Sequence, residues 1–127
     1  MKNLSILLVE DNILNQKLII LNLKKYGFNI DLANNGLKAV EKFKQCKYDI
    51  VLMDIMMPKM DGFESTKQIR KLESKSKKKA KIIGLTANTY EADKERCIAC
   101  GMDEFMTKPF DLELFKKVLI DLGIDLE

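Results

Sequence analysis

The sequence predicts an α/β fold, a doubly wound five-stranded parallel sheet with strand order 2-1-3-4-5, and three observations predict it. Five short apolar stretches alternate with five segments of helical period, the pattern of repeated βα units that place helices on both faces of a sheet. Three of those stretches are nearly continuous aliphatic runs, as central parallel strands covered on both sides require, while the other two are mixed and suit sheet edges. The connections are short, with no internal repeat and no linker rich in Pro, Gly or Ser, so residues 1–127 are expected to form one domain.

The first strand is read in Leu4 to Val9, and the helix after it in Leu14, Leu18 and Leu21, which share one helical face. The alternating stretch Phe28 to Leu32 gives an edge strand, followed by a helix whose stripe is Ala39, Phe43 and Cys46. Ile50 to Met53 is the third strand; Asp61 and Glu64 then form a capping-box pattern ahead of a helix marked by Phe63, Ile69 and Leu72. Ile82 to Leu85 is the fourth strand, and the weaker helix from Glu91 to Cys100 has a candidate cap at Asn88 or Thr89 and a stop at Gly101. Glu104 to Met106 is a short edge strand, and Asp111 caps a last helix carrying Phe115, Val118, Leu119 and Leu122. Right-handed crossovers alone connect strands in the order 2-1-3-4-5. In that order the chain changes sheet face between the first and third strands, and the ligand crevice of such a sheet lies there, beyond the carboxyl ends of the strands.

Composition narrows the chemistry. The chain has 22 Lys+Arg, 19 Asp+Glu and no His, so the commonest general base, metal ligand and neutral-pH switch are all missing. Carboxylates, Lys, Thr or thiols must do the work. Three Cys do not make a disulfide scaffold and imply reduced thiols in a cytosolic compartment. No apolar run approaches the ~20 residues that span a bilayer, and the opening Met1-Lys2-Asn3 begins no secretory leader pattern. A cytoplasmic domain is expected.

The first strand ends in Glu10-Asp11 and the third in Asp54, so the topology brings three carboxylates to one crevice. Like charges this close need an offsetting charge, and oxygen ligands without His or Cys favour Mg²⁺. Thr86-Ala87 ends the fourth strand, and Thr107-Lys108-Pro109 follows the fifth. The crevice therefore also receives a hydroxyl, a backbone N–H and an ammonium, the groups that stabilise the equatorial oxygens of a phosphoryl group in transfer. Together they describe a site in which an Asp acts as nucleophile.

These residues resemble the receiver domain of two-component response regulators over the span from Ile6 to about Leu122. The carriers are Leu8-Val9-Glu10-Asp11-Asn12, Met53-Asp54 through Pro58, Met60-Asp61-Gly62, Thr86-Ala87-Asn88 and Lys108-Pro109-Phe110. The resemblance implies a flavodoxin-like (βα)5 fold and a signalling switch in which Asp54 takes a phosphoryl group from a partner's phosphohistidine. It implies that Asp11, Asp54 and the Met56 carbonyl ligate Mg²⁺, with Glu10 acting through a bound water. Thr86, the Ala87 N–H and Lys108 would hold the phosphoryl group, and Phe105 would move inward as Thr86 is drawn toward it. The Lys108-Pro109 bond would be cis, and the fourth helix, fifth strand and fifth helix would be the surface read by partners. The sequence around Thr86 to Lys108 is similar to receivers attached to hybrid sensor histidine kinases. The implied partner is a histidine kinase or histidine phosphotransfer domain, docked on Asn12, Ile13, Asn15, Pro109 and Phe110, with no nucleic-acid or membrane contact and the oligomeric state left open. Catalysis would extend only to the chain's own phosphorylation and dephosphorylation.

Two alternatives remain beside that reading: a Mg²⁺-dependent phosphohydrolase of similar topology, and a non-phosphorylated protein-binding module. The hydrolase usually carries a second acid two residues after its nucleophile, where this chain has Met56. Met56 and Asn88 flank the path of the attacking water in the family resembled, and Met56 cannot orient that water, so an aspartyl phosphate lasting minutes or longer is expected. Cys97-x-x-Cys100 sits at a helix end rather than opening one and reads as core. The methionines Met53, Met56, Met57 and Met60 read as packing. The run from Arg70 to Lys81 has seven basic residues and one acid and reads as a solvated helix end.

Overall fold

A computed structural model describes residues 4–57, 60–74, 79–87, 91–124 and 126, with the side chains of 91–93 excepted. The elements run β1 (Ser5–Val9), α1 (Ile13–Lys25), β2 (Asn29–Ala33), α2 (Gly36–Gln45), β3 (Ile50–Asp54), α3 (Gly62–Glu73), β4 (Lys81–Thr86), α4 (Glu91–Cys100), β5 (Glu104–Thr107) and α5 (Leu112–Asp121). The strands form one sheet in the order β2-β1-β3-β4-β5, all pairs parallel. The expected alternation and order both hold.

Alternate residues of the central strands feed two separate cores. Leu7, Val9, Val51, Met53 and Ile82 pack under α2, α3 and α4 with Ala39, Phe63, Ile69, Cys97 and Cys100. Ile6, Leu8, Ile50, Leu52, Ile83 and Leu85 pack under α1 and α5 with Ile19, Leu23, Phe115 and Leu119. Each fully buried aliphatic side chain contributes about 1.5–3 kcal/mol relative to exposure, which is why the β1 and β3 runs carry no polar interruption. Cys97 and Cys100 lie in the first core, where the Cys100 thiol donates to the Cys97 carbonyl at 3.2 Å and burial raises its pKa.

Caps set the helix starts. Asp61 accepts from the Glu64 N–H at 2.9 Å, and Asp111 accepts from the N–H groups of Glu113 and Leu114. Asn12 and Asn35 cap α1 and α2 in the same way. Gly101, at φ +107°, ends α4 with its N–H on the Ile98 carbonyl at 3.1 Å and the Met102 N–H on that of Cys97 at 2.9 Å. The candidate caps Asn88 and Thr89 lie outside the described residues.

Three features depart from the sequence reading. Leu14, Leu18 and Leu21, the stripe that reveals α1, are 76%, 50% and 57% exposed, and the helix instead turns Gln16, Ile19 and Leu23 inward. Arg70 is no solvated helix-end cation. Its guanidinium donates to the carbonyls of Gly101 and Ala80 at 2.8 Å each, to Glu73 Oε1 at 2.6 Å and to Asp103 Oδ2 at 2.7 Å. Met56 is exposed rather than packed, whereas Met53 is core and Met57 and Met60 lie half-buried against it. No helix of the described residues is long and apolar enough to cross a membrane.

Candidate functional site

Parallel register delivers the acids. Val9 pairs with Met53 across β1 and β3, so the next residues, Glu10 and Asp54, leave the sheet side by side. Thr86, paired with Thr107, ends β4 beside them. Lys108 follows β5, and its N–H donates to the Thr86 carbonyl at 2.7 Å. The Lys108-Pro109 bond is cis, as the resemblance implies.

Carboxylate oxygens of Glu10, Asp11 and Asp54 lie within 4.8 Å of one another, the first and last buried and Asp11 exposed. Asp54 Oδ1 takes the Lys108 ammonium at 2.9 Å and the Met56 N–H at 3.3 Å. Glu10 Oε2 accepts from the Asn12 N–H at 3.1 Å. Glu10 Oε1 stands 3.8 Å from the ammonium and has no hydrogen-bond partner although it is buried. Burial, reinforced by the neighbouring Asp54 charge and only partly offset by the Asn12 N–H and Lys108, pushes the Glu10 carboxyl up to about 7. An orphaned buried carboxylate oxygen beside two further acids fits a hard divalent cation. Asp11, Asp54 and Glu10 are the side chains able to hold it.

Backbone packing sustains the arrangement. The Ile55 N–H reaches the Leu85 carbonyl and the Gly62 N–H the Ile55 carbonyl, both at 3.0 Å. A Cβ on Gly62 would meet the Asp54 carbonyl oxygen at 2.5 Å and Ile55 Cα at 2.8 Å, so only glycine lets α3 begin this close to the acceptor strand. Gln16 Nε2 donates to the Glu10 carbonyl at 2.7 Å and ties α1 to the site. The periodicity of α1 gave no sign of Gln16; Gly62 was visible as part of Met60-Asp61-Gly62, but its contact was not.

Thr86 is buried and Ala87 exposed at the crevice. Phe105 is half-buried against the α2–α4 core and pairs with Gly84. Asn12 and Ile13 are exposed, whereas Asn15, Pro109 and Phe110 line a cleft of about 300 Å³ with Leu18, Ile19 and Leu85, floored by Glu10 and Lys108. Asn88 lies outside the described residues. The geometry thus offers a buried carboxylate, two further acids able to hold a cation with it, and an ammonium 2.9 Å from that carboxylate, with a buried hydroxyl residue at the end of the neighbouring strand.

Residues 6–120 match the family model described as response regulator receiver domain. Hybrid signal transduction histidine kinase B of Dictyostelium discoideum is 46% identical over 113 residues, which is 82% of this chain and 6% of that protein. This chain thus spans a small part of that relative, as it does of hybrid kinase F from the same organism, at 11%. Among solved structures, the receiver domain of sensor histidine kinase PA1611 from Pseudomonas aeruginosa, with magnesium in its active-site cleft, superposes with TM-score 0.84 at 35% identity, covering 94% of this chain and 97% of that one. The Saccharomyces cerevisiae Ssk1 receiver, solved with the histidine phosphotransfer protein Ypd1, gives 0.86 at 32% identity, covering 95% and 89%.

Proposed function

The chain belongs to the response regulator receiver domain family, and from that premise we propose that it is a single receiver domain whose Asp54 accepts a phosphoryl group from a partner's phosphohistidine. The observation carrying this reading is the placement of Asp54, buried and 2.9 Å from Lys108, among two further carboxylates. In the transfer the Asp54 oxygen forms the new O–P bond as the P–N bond breaks, and the electron pair leaves with the donor imidazole. Asp11, Asp54, the Met56 carbonyl and Glu10 would hold Mg²⁺, which would supply positive charge to offset that of the carboxylate and the phosphoryl group. Lys108 neutralises the developing oxygens, and Thr86 and the Ala87 N–H bind the rest.

The product places new negative charge beside Lys108 and Thr86. Drawing the Thr86 hydroxyl inward vacates room for the half-buried Phe105, which carries the change to the surface of α4, β5 and α5. Exposed Met56 at the position of a hydrolase's second acid weighs against turnover of external substrates.

The donor is proposed to be a histidine kinase or histidine phosphotransfer domain, a reading supported by the similar Ssk1 receiver, solved in complex with the histidine phosphotransfer signaling protein Ypd1. Of the apolar side chains that α1 leaves exposed, Ile13, Leu14, Leu18 and Leu21, Leu18 lines the cleft with Pro109 and Phe110 and extends the expected docking surface. The test compares two donors in Mg²⁺: a small acyl phosphate and a phosphorylated histidine phosphotransfer protein. Asp54→Asn should abolish labelling by both, and Ile13→Ser with Phe110→Ser should slow only the protein donor, by roughly tenfold or more. Undiminished labelling of Asp54→Asn would sink the assignment, and equal protein-donor rates for the docking variant would move the docking surface elsewhere.

A further inference from the structure

A second cleft, of about 330 Å³, opens where the ends of α2 and α3 meet the amino ends of β3 and β4. It lies at the opposite end of the sheet from the acidic crevice, about 16 Å away for strands of five residues. Its floor is apolar and fixed. The Tyr48 ring packs on Phe43 with centroids 6.2 Å apart, and its hydroxyl donates to Asp31 at 2.6 Å; Leu72 and Ala80 complete the wall.

The rim is cationic. Lys44 and Lys47 line the mouth, both exposed. Among the described residues of the lining the one acid, Glu73, is consumed internally, one oxygen by Arg70 at 2.6 Å and the other by the Ala80 N–H at 2.6 Å. Its charge is therefore matched within the wall, and among the described lining residues Lys44 and Lys47 carry the remaining charge, both at the mouth. A volume near the lower limit for small-molecule sites accommodates one bulky side chain, and an apolar centre inside a charged rim is the anatomy of an anchor-residue protein contact. From these features we propose that the α2–α3 cleft binds an acidic peptide segment of a partner, which inserts a single aromatic side chain between Tyr48 and Leu72 and sets carboxylates against Lys44 and Lys47. The site is independent of phosphoryl transfer, and a partner held there leaves the crevice open.

The probe is a short capped peptide with one Phe flanked by Asp and Glu, titrated into the 127-residue chain while amide NMR shifts are recorded. Saturable shifts should fall at residues 43–48, 72–74 and 79–80, with a dissociation constant of order 0.1–1 mM. Replacing Phe by Ser in the peptide should abolish them, and Lys44→Glu with Lys47→Glu should weaken binding roughly tenfold. Cys46, exposed and on the rim, gives a second reading: bound peptide should slow its alkylation, and the Ser peptide should not. Shifts centred on the acidic crevice or the α1 face, binding unchanged by the charge reversal, or a free aromatic carboxylate matching the peptide would each overturn the proposal.

Discussion

At Glu10 two forces oppose each other. Burial favours the protonated carboxyl and raises its pKa to about 7, while a bound cation would require the carboxylate. A folded-state value above the ordinary 4.5 means that the native state holds a proton the unfolded chain has released. The metal-free protein should therefore lose stability as pH rises from about 4.5 to 7. Mg²⁺ binding below pH ~7 must displace that proton, so affinity should fall by up to about tenfold per pH unit as the solution is acidified. Calorimetric titration at pH 7.5 and 6 checks this, and Glu10→Gln should flatten the slope; an equally steep slope in that variant would assign the proton to another group. Lys108 separates differently. Its ammonium, 2.9 Å from Asp54 Oδ1, would compete with a metal for that carboxylate and, in the proposed transfer, would assist the phosphoryl group, so Lys108→Ala should slow phosphorylation roughly 100-fold or more while leaving Mg²⁺ affinity undiminished. Loss of metal binding in that variant would contradict its role as a phosphoryl contact.

Among the elements, α3 depends on a residue whose role its sequence neighbourhood concealed. Arg70 joins the end of α3 to the start of β4 and to the α4–β5 turn through Ala80, Gly101 and Asp103, and it neutralises the buried Glu73. Arg70→Met would strand that carboxylate, at a cost of about 3–5 kcal/mol. Adding Glu73→Gln should restore part of the lost stability, measured by denaturant unfolding; a single-variant loss below 1 kcal/mol would show the network to be dispensable. Sequence reading missed it because a basic run at a helix end looks alike whether its first member faces water or a buried acid. The inward face of α1 was missed for another reason. Leu14, Leu18 and Leu21 repeat as well as Ile19 and Leu23 do, so periodicity allowed two stripes. The rotation is fixed by Gln16 reaching the Glu10 carbonyl, a polar tether that hydrophobic spacing does not register.

Over the whole molecule, strand order and the address of the site were legible together. Aliphatic runs that end in Glu10, Asp54 and Thr86 can be central strands only if those residues emerge at one edge, and the parallel register brings them there. The ammonium contact to Asp54 and the orphaned Glu10 oxygen were beyond sequence reading, because they depend on side-chain paths across the crevice. The same is true of the α2–α3 cleft, whose floor and rim come from separate segments. Charge arriving at Asp54 is proposed to reset the domain, and the amide NMR spectrum with Mg²⁺ and beryllofluoride, a phosphoryl mimic, reads that change directly. A stoichiometric change at the crevice should extend through β4 and β5 to α4 and be absent in Asp54→Asn. An unaltered wild-type spectrum, or the same change in Asp54→Asn, would contradict the proposed reset.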